Sequence, residues 1–171
     1  MNYNQNRSWS DEFMPSVKSI LGQVIIEASS FKQDTEEAFD LITLPSTKKI
    51  ACRVRDYDKY SQYMDEFTVR SRSRYGKKTE IHKIAEGFGD WMFYGFGKNK
   101  KVLKYSVIDL DIFRENLDSI APLNKKNWDG TEFSAFKLGL FPSNIIIKSN
   151  IDIQFGLEEI SDYLKPFPQQ I

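Results

Sequence analysis

Two stretches decide the fold: Lys49-Ile50-Ala51-Cys52-Arg53-Val54-Arg55 and Glu66-Phe67-Thr68-Val69-Arg70-Ser71-Arg72. Side chains on a strand point alternately to opposite faces. Read that way, Ile50, Cys52 and Val54 share one side of the first segment, leaving Arg53 and Arg55 on the other. In the second, Phe67 and Val69 oppose Glu66, Thr68 and Arg70. Both segments therefore predict half-buried strands with a charged face.

Outward from these strands, the N-terminal side predicts a helix over Ser10–Leu21. Ser10 is its cap, Phe13, Val17, Ile20 and Leu21 form its apolar stripe, Pro15 fits only its early turn, and Gly22 ends it. Val24–Ala28 and Ala38–Leu44 predict strands, the second carrying the lone carboxylate Asp40 among apolar neighbours. On the C-terminal side, Thr79 caps a predicted helix over Glu80–Glu86. Trp91–Phe96 and Val102–Ile108 read as a hairpin around Gly97–Lys101, followed by a helix capped by Asp109 or Asp111. Residues 122–143 read as loop-rich, with Asp129-Gly130 as a turn. Asn144–Lys148 reads as a strand and Gly156–Lys165 as a last helix. The expected class is α/β (α+β), with a mixed central sheet flanked by helices in a single domain over 1–171. Residues 1–9 are expected to be flexible and 166–171 to form a tail.

Composition narrows the chemistry. At 171 residues, 40% of them hydrophobic, the chain can bury a real core. No apolar run approaches the roughly 20 residues that span a bilayer, and the polar N-terminus lacks a signal-peptide core, so a soluble cytoplasmic protein is expected. One His (His82) and one Cys (Cys52) cannot build a tetrahedral zinc site. Cys52, within an apolar run, reads as a small core residue. No phosphate-binding glycine loop occurs. Catalysis would have to rest on carboxylates, Lys or Arg, and a hard cation such as Mg²⁺.

Formal net charge is zero, but residues 48–83 hold eleven Lys and Arg against five Asp and Glu, a local balance of +6. Arg53, Arg55, Arg70, Arg72, Arg74, Lys77 and Lys78, with Tyr75 interleaved, suit a phosphate backbone and a stacked base. The same charges would also suit a solvated sheet face stitched by cross-strand ion pairs. Asp40 and Glu66 are carboxylates that could orient these arginines or hold Mg²⁺, and Glu80 and Lys83 stand at i, i+3 on one face of the predicted helix.

The order helix–strand–strand–strand–helix–strand, with Phe39-Asp40-Leu41-Ile42 before Lys49–Arg55, resembles the PD-(D/E)XK, or restriction-endonuclease-like, superfamily. The resemblance implies an αβββαβ core with a hairpin insertion, and Mg²⁺-dependent phosphodiester hydrolysis. Here Arg53 and Arg55 occupy the positions of the motif's acid and lysine. Some relatives move those groups to the following helix, which would make Asp40 and Glu80 the metal ligands, Glu66 a rival ligand, and Lys83 the residue that orients water. Residues 53–55, 66–71, 78–84 and 89–96 also resemble a phage or prophage family, which implies the cytoplasm of a bacterial host. Three expectations stand side by side. The first is a nucleic-acid-binding protein, with DNA favoured over RNA and cleavage where the acids permit. The second is a non-catalytic protein that inhibits a host protein. The third is a binder of a nucleotide or small phosphorylated ligand.

Overall fold

The computed structural model describes residues 8–28, 41–43, 48–73, 76, 78–127 and 130–156. Asp40, Arg74, Tyr75, Lys77, Asp129 and nearly all of the expected last helix and tail lie outside the described residues. The helices are α1 (Met14–Ile25), α2 (Tyr57–Tyr60), α3 (Glu80–Ala85) and α4 (Leu110–Glu115). The strands are β1 (Ile26–Ala28), β2 (Leu41–Thr43), β3 (Ile50–Asp56), β4 (Glu66–Arg72) and β5 (Trp91–Lys98). They continue with β6 (Lys101–Asp109), β7 (Leu123–Lys126), β8 (Glu132–Lys137) and β9 (Ile146–Ser149).

The class is α+β, with a mixed four-stranded sheet in the order β3-β5-β6-β9. β3 runs parallel to β5, and the remaining pairs are antiparallel. A second, antiparallel sheet has the order β4-β8-β7, and β1 pairs with β2. β3 and β4, each read as carrying a charged face, belong to different sheets, so those faces do not join as neighbours in one sheet. Alternation fixes which way a side chain faces but not which strand lies next door.

The expected helix is split: residues 8–11 are helical, 12–13 form a turn, and α1 begins at Met14, which puts Pro15 in its first turn, where a missing N–H costs nothing. Gly22 lies inside the helix rather than ending it. The apolar stripe is as read: Phe13, Val17 and Leu21 are buried against Val54, Trp91, Phe93 and Val107 on one face of the mixed sheet. Contact is close enough that a Cβ at Gly97 would stand 2.3 Å from Phe13 Cε1. Ile50 and Val54 face this layer as alternation requires. Cys52 is exposed, however, and not a core residue, because β3 is an edge strand that α1 covers only in part.

The opposite face of the mixed sheet meets the second sheet, α3 and α4 over a larger core of Phe67, Met92, Ile108, Phe113, Phe136 and Phe141. Phe67 stacks on Phe136 at 5.6 Å, and Phe113 meets Phe136 edge-on at 4.9 Å. Residues 122–143 are not mainly loop: β7 and β8 form a hairpin there. Its pattern is concealed because β7 exposes three of its four residues and Ala135-Phe136 places adjacent apolar residues on opposite faces. The β5–β6 hairpin closes through Asn99-Lys100, whose φ values of 52° and 63° match a primed two-residue turn.

Candidate functional site

β4 is the outer strand of its sheet, so its outward backbone groups need partners. Arg53 and Glu80 supply them. Arg53 Nη1 donates to the Thr68 carbonyl, Arg53 Nη2 pairs with Glu80 Oε2, and the same oxygen accepts the Arg70 N–H at 3.1 Å. A guanidinium and a carboxylate together fill the place of a neighbouring strand. Glu80 is held for this by α3, which starts at the Thr79–His82 capping box. A cation at Glu80 would meet the Arg53 guanidinium in contact with the same oxygen. The described half of the Asp40–Glu80 set therefore does not fit Mg²⁺. Among the described residues, no three His, Cys, Asp or Glu side chains gather to hold a metal ion.

Arg55, two residues along the same face, behaves differently. Its Nε donates to Tyr94 Oη (3.1 Å) and its Nη2 to Thr68 Oγ1 (2.7 Å), and the two hydroxyls are 2.9 Å apart. Its guanidinium lies over the Tyr60 ring, 4.5 Å from the centroid. Both hydrogen-bond partners are neutral, and no carboxylate among the described residues pairs with it. A half-buried arginine in that state keeps its full charge available to an anion.

Arg55 opens on a pocket of about 170 Å³ with Tyr60, Tyr63, Glu66, Thr68, Tyr94, Phe96, Lys125 and Phe133. Glu66 is only 9% exposed. Its one ion-pair partner among the described residues is Lys125, a loose 3.9 Å away. Desolvation pushes its carboxyl above the ordinary 4.5, opposed by Lys125, reinforced by Asp65 and opposed again by Lys137. Lys125 in turn sits 4.8 Å over the Tyr63 ring. A nearly buried carboxylate lying in a cleft beside an arginine that no carboxylate among the described residues pairs with is the electrostatic mark of a candidate binding site.

The register carries the site beyond the pocket. Phe133 on β8 stands opposite Arg70 on β4 and Lys125 on β7, so one rung of the sheet presents cation, phenyl ring, cation. The next rung is Arg72, Glu132 and Lys126, with Arg72 and Glu132 paired at 3.2 Å.

Of the residues singled out from sequence, Arg55 and Glu66 meet in the pocket and Arg70 flanks it on the same strand face. Arg53 and Glu80 close the edge of β4. Lys78 pairs with Glu86, and Lys83 is exposed on α3. Tyr60, Tyr63, Tyr94, Phe96, Lys125 and Phe133 were not read as site residues. The spacing of Tyr57, Tyr60 and Tyr63 was a usable signal for the first two. Comparisons with protein-family models, curated proteins and solved structures found no match. No helix among the described residues is long and apolar enough to cross a membrane.

Proposed function

We propose that this chain binds nucleic acid as a single strand, laid across the β4-β8-β7 sheet, and does so without hydrolysing it. The observation that carries the reading is the Arg70–Phe133–Lys125 rung beside Arg55, which no carboxylate among the described residues pairs with. Single-strand binders combine cations that track phosphates with aromatic rings on which bases stack, and this rung interleaves the two. The pocket is too small to enclose a polymer, so most of the ligand would run over the end of the sheet that Arg70, Phe133 and Lys125 occupy, since Thr68 and Ala135 on the same face are buried. Glu80, tied to Arg53 and the Arg70 N–H, supplies no ligand for the metal that cleavage would need.

Fluorescence anisotropy with labelled single- and double-stranded oligonucleotides over a salt series tests this. Two cations on the phosphates (Arg70, Lys125) give a log–log salt slope of about −1.4 for a single strand. Arg70→Ala and Lys125→Ala should each flatten that slope by about 0.7. Failure of every DNA and RNA oligonucleotide to bind at low salt refutes the proposal, as does Mg²⁺-dependent cleavage that Glu80→Gln abolishes.

A further inference from the structure

The pocket beside the rung has a chemistry of its own. At about 170 Å³ it compares with a cavity of about 150 Å³ that holds a benzene ring, and falls below the roughly 300 Å³ at which pockets enclose whole drug-sized ligands. It therefore has room for one ring-sized group of a longer molecule. Phe96 and Phe133 give it flat apolar walls, while Arg55, Thr68, Tyr94 and Glu66 give it a rim of donors and acceptors.

That combination discriminates among occupants. A hydrocarbon would strip water from Arg55 and Glu66 and return no hydrogen bond. A phosphate would suit Arg55 but would lie against apolar walls with the nearly buried Glu66 carboxyl in the same space. A nucleobase answers both demands, with π-faces for the rings and a polar edge for the rim. One face each of Tyr60 and Tyr63 is already covered by Arg55 and Lys125, and Phe96 is only 1% exposed, so stacking falls to Phe133. The Glu66 carboxylate, among the pocket's lining, can accept there.

We infer that this pocket receives one unstacked base of the bound strand, an inference that rests on the single-strand reading above. Arg70 and Lys125 take the phosphates on either side while the base leaves the line of the strand and enters between the two sheets. A base paired within a duplex cannot do this without first leaving its stack, so the pocket selects unpaired over paired nucleic acid.

The test uses the full chain and two labelled probes of equal length: oligothymidylate and the corresponding abasic deoxyribose-phosphate strand. The base-bearing strand should bind about tenfold more tightly or better. Tyr94→Phe, which keeps the ring, and Phe133→Leu should each weaken binding of the base-bearing strand and leave the abasic strand unchanged. Thermal melts of both variants identify any that are unfolded. If the two strands bind equally, the base pocket is wrong while strand binding stands. If neither binds, the underlying reading fails. A free nucleoside monophosphate that binds as tightly as the oligonucleotide overturns the assignment to a strand.

Discussion

Glu80→Ala separates a structural role for the Arg53–Glu80 pair from a catalytic one. The substitution removes the oxygen that accepts from Arg53 Nη2 and from the Arg70 N–H. Hydrogen bonds to a charged group are each worth about 1.5–3 kcal/mol. The two side chains are 29% and 26% exposed, so water reaches the orphaned donors and the loss stays below the about 3–5 kcal/mol of breaking a fully buried pair. A net destabilisation of about 2 kcal/mol follows, or about 4–8 °C in Tm for a domain of this size. Glu80→Gln, which keeps an oxygen for Arg70, should cost about half as much. Arg53→Met added to Glu80→Ala should cost about 1 kcal/mol less than the two singles combined, because the partner is already gone. Circular-dichroism melts of the four variants (Glu80→Ala, Glu80→Gln, Arg53→Met and the double) and the wild type, with and without Mg²⁺, measure all of this. Stability within about 0.5 kcal/mol of wild type for Glu80→Ala would refute the edge-closing role, since that is the scatter of ordinary surface changes. A Mg²⁺-dependent rise in Tm that Glu80→Gln abolishes would refute it as well.

The Glu66 carboxyl titrates above its ordinary 4.5, so the folded state keeps a proton that the unfolded state has lost. Stability linked to this group therefore falls as pH rises from 4.5 to the raised value. Glu66→Gln should raise Tm at pH 7 and lose that advantage at pH 4; an equal gain at both pH values would contradict the burial argument. Gly97→Ala places a Cβ 2.3 Å from Phe13 Cε1 and should cost about 1–3 kcal/mol, part of it recovered by Phe13→Leu in urea denaturation. Lys100, at φ 63°, should gain about 0.5–1 kcal/mol on substitution by glycine, visible as a higher midpoint at unchanged m-value.

Strand β4 has the very limits that its alternation predicts, and β3 agrees to within one residue at each end. Those segments are legible because apolar and polar residues alternate along each, although β4 buries Glu66 and Thr68 along with Phe67 and Val69, and β3 exposes Cys52. The hairpin of β7 and β8 is not legible, since Leu123-Asn124-Lys125-Lys126 has one apolar residue and β8 packs residues of both faces. Its turn could still be read: Gly130 has φ 81° and Asn127 N bonds to Thr131 O at 2.8 Å. The candidate site divides in the same way. Its charges stand out in the sequence, but their assignments depend on partners: Arg53 is neutralised by Glu80 and Arg55 by no carboxylate among the described residues, a difference that two arginines on one strand face cannot reveal. Tyr63 and Lys125 meet only because two elements far apart in sequence are brought together by the fold.

The parallel pairing of β3 with β5 also sets an order of events in folding. β5 and β6 can zip together across a two-residue turn, a local and fast closure. β3 must wait for a crossover over residues 57–90 that carries α2, β4 and α3, and β4 cannot complete its own ladder until β8 has formed. The transition state should thus hold the hairpin while both edge strands are still loose. Conservative core substitutions such as Val107→Ala should slow refolding, whereas Val54→Ala on β3 should act mainly by speeding unfolding. The Arg53–Glu80 bridge across the edge of β4 would then be among the last contacts made and the first released.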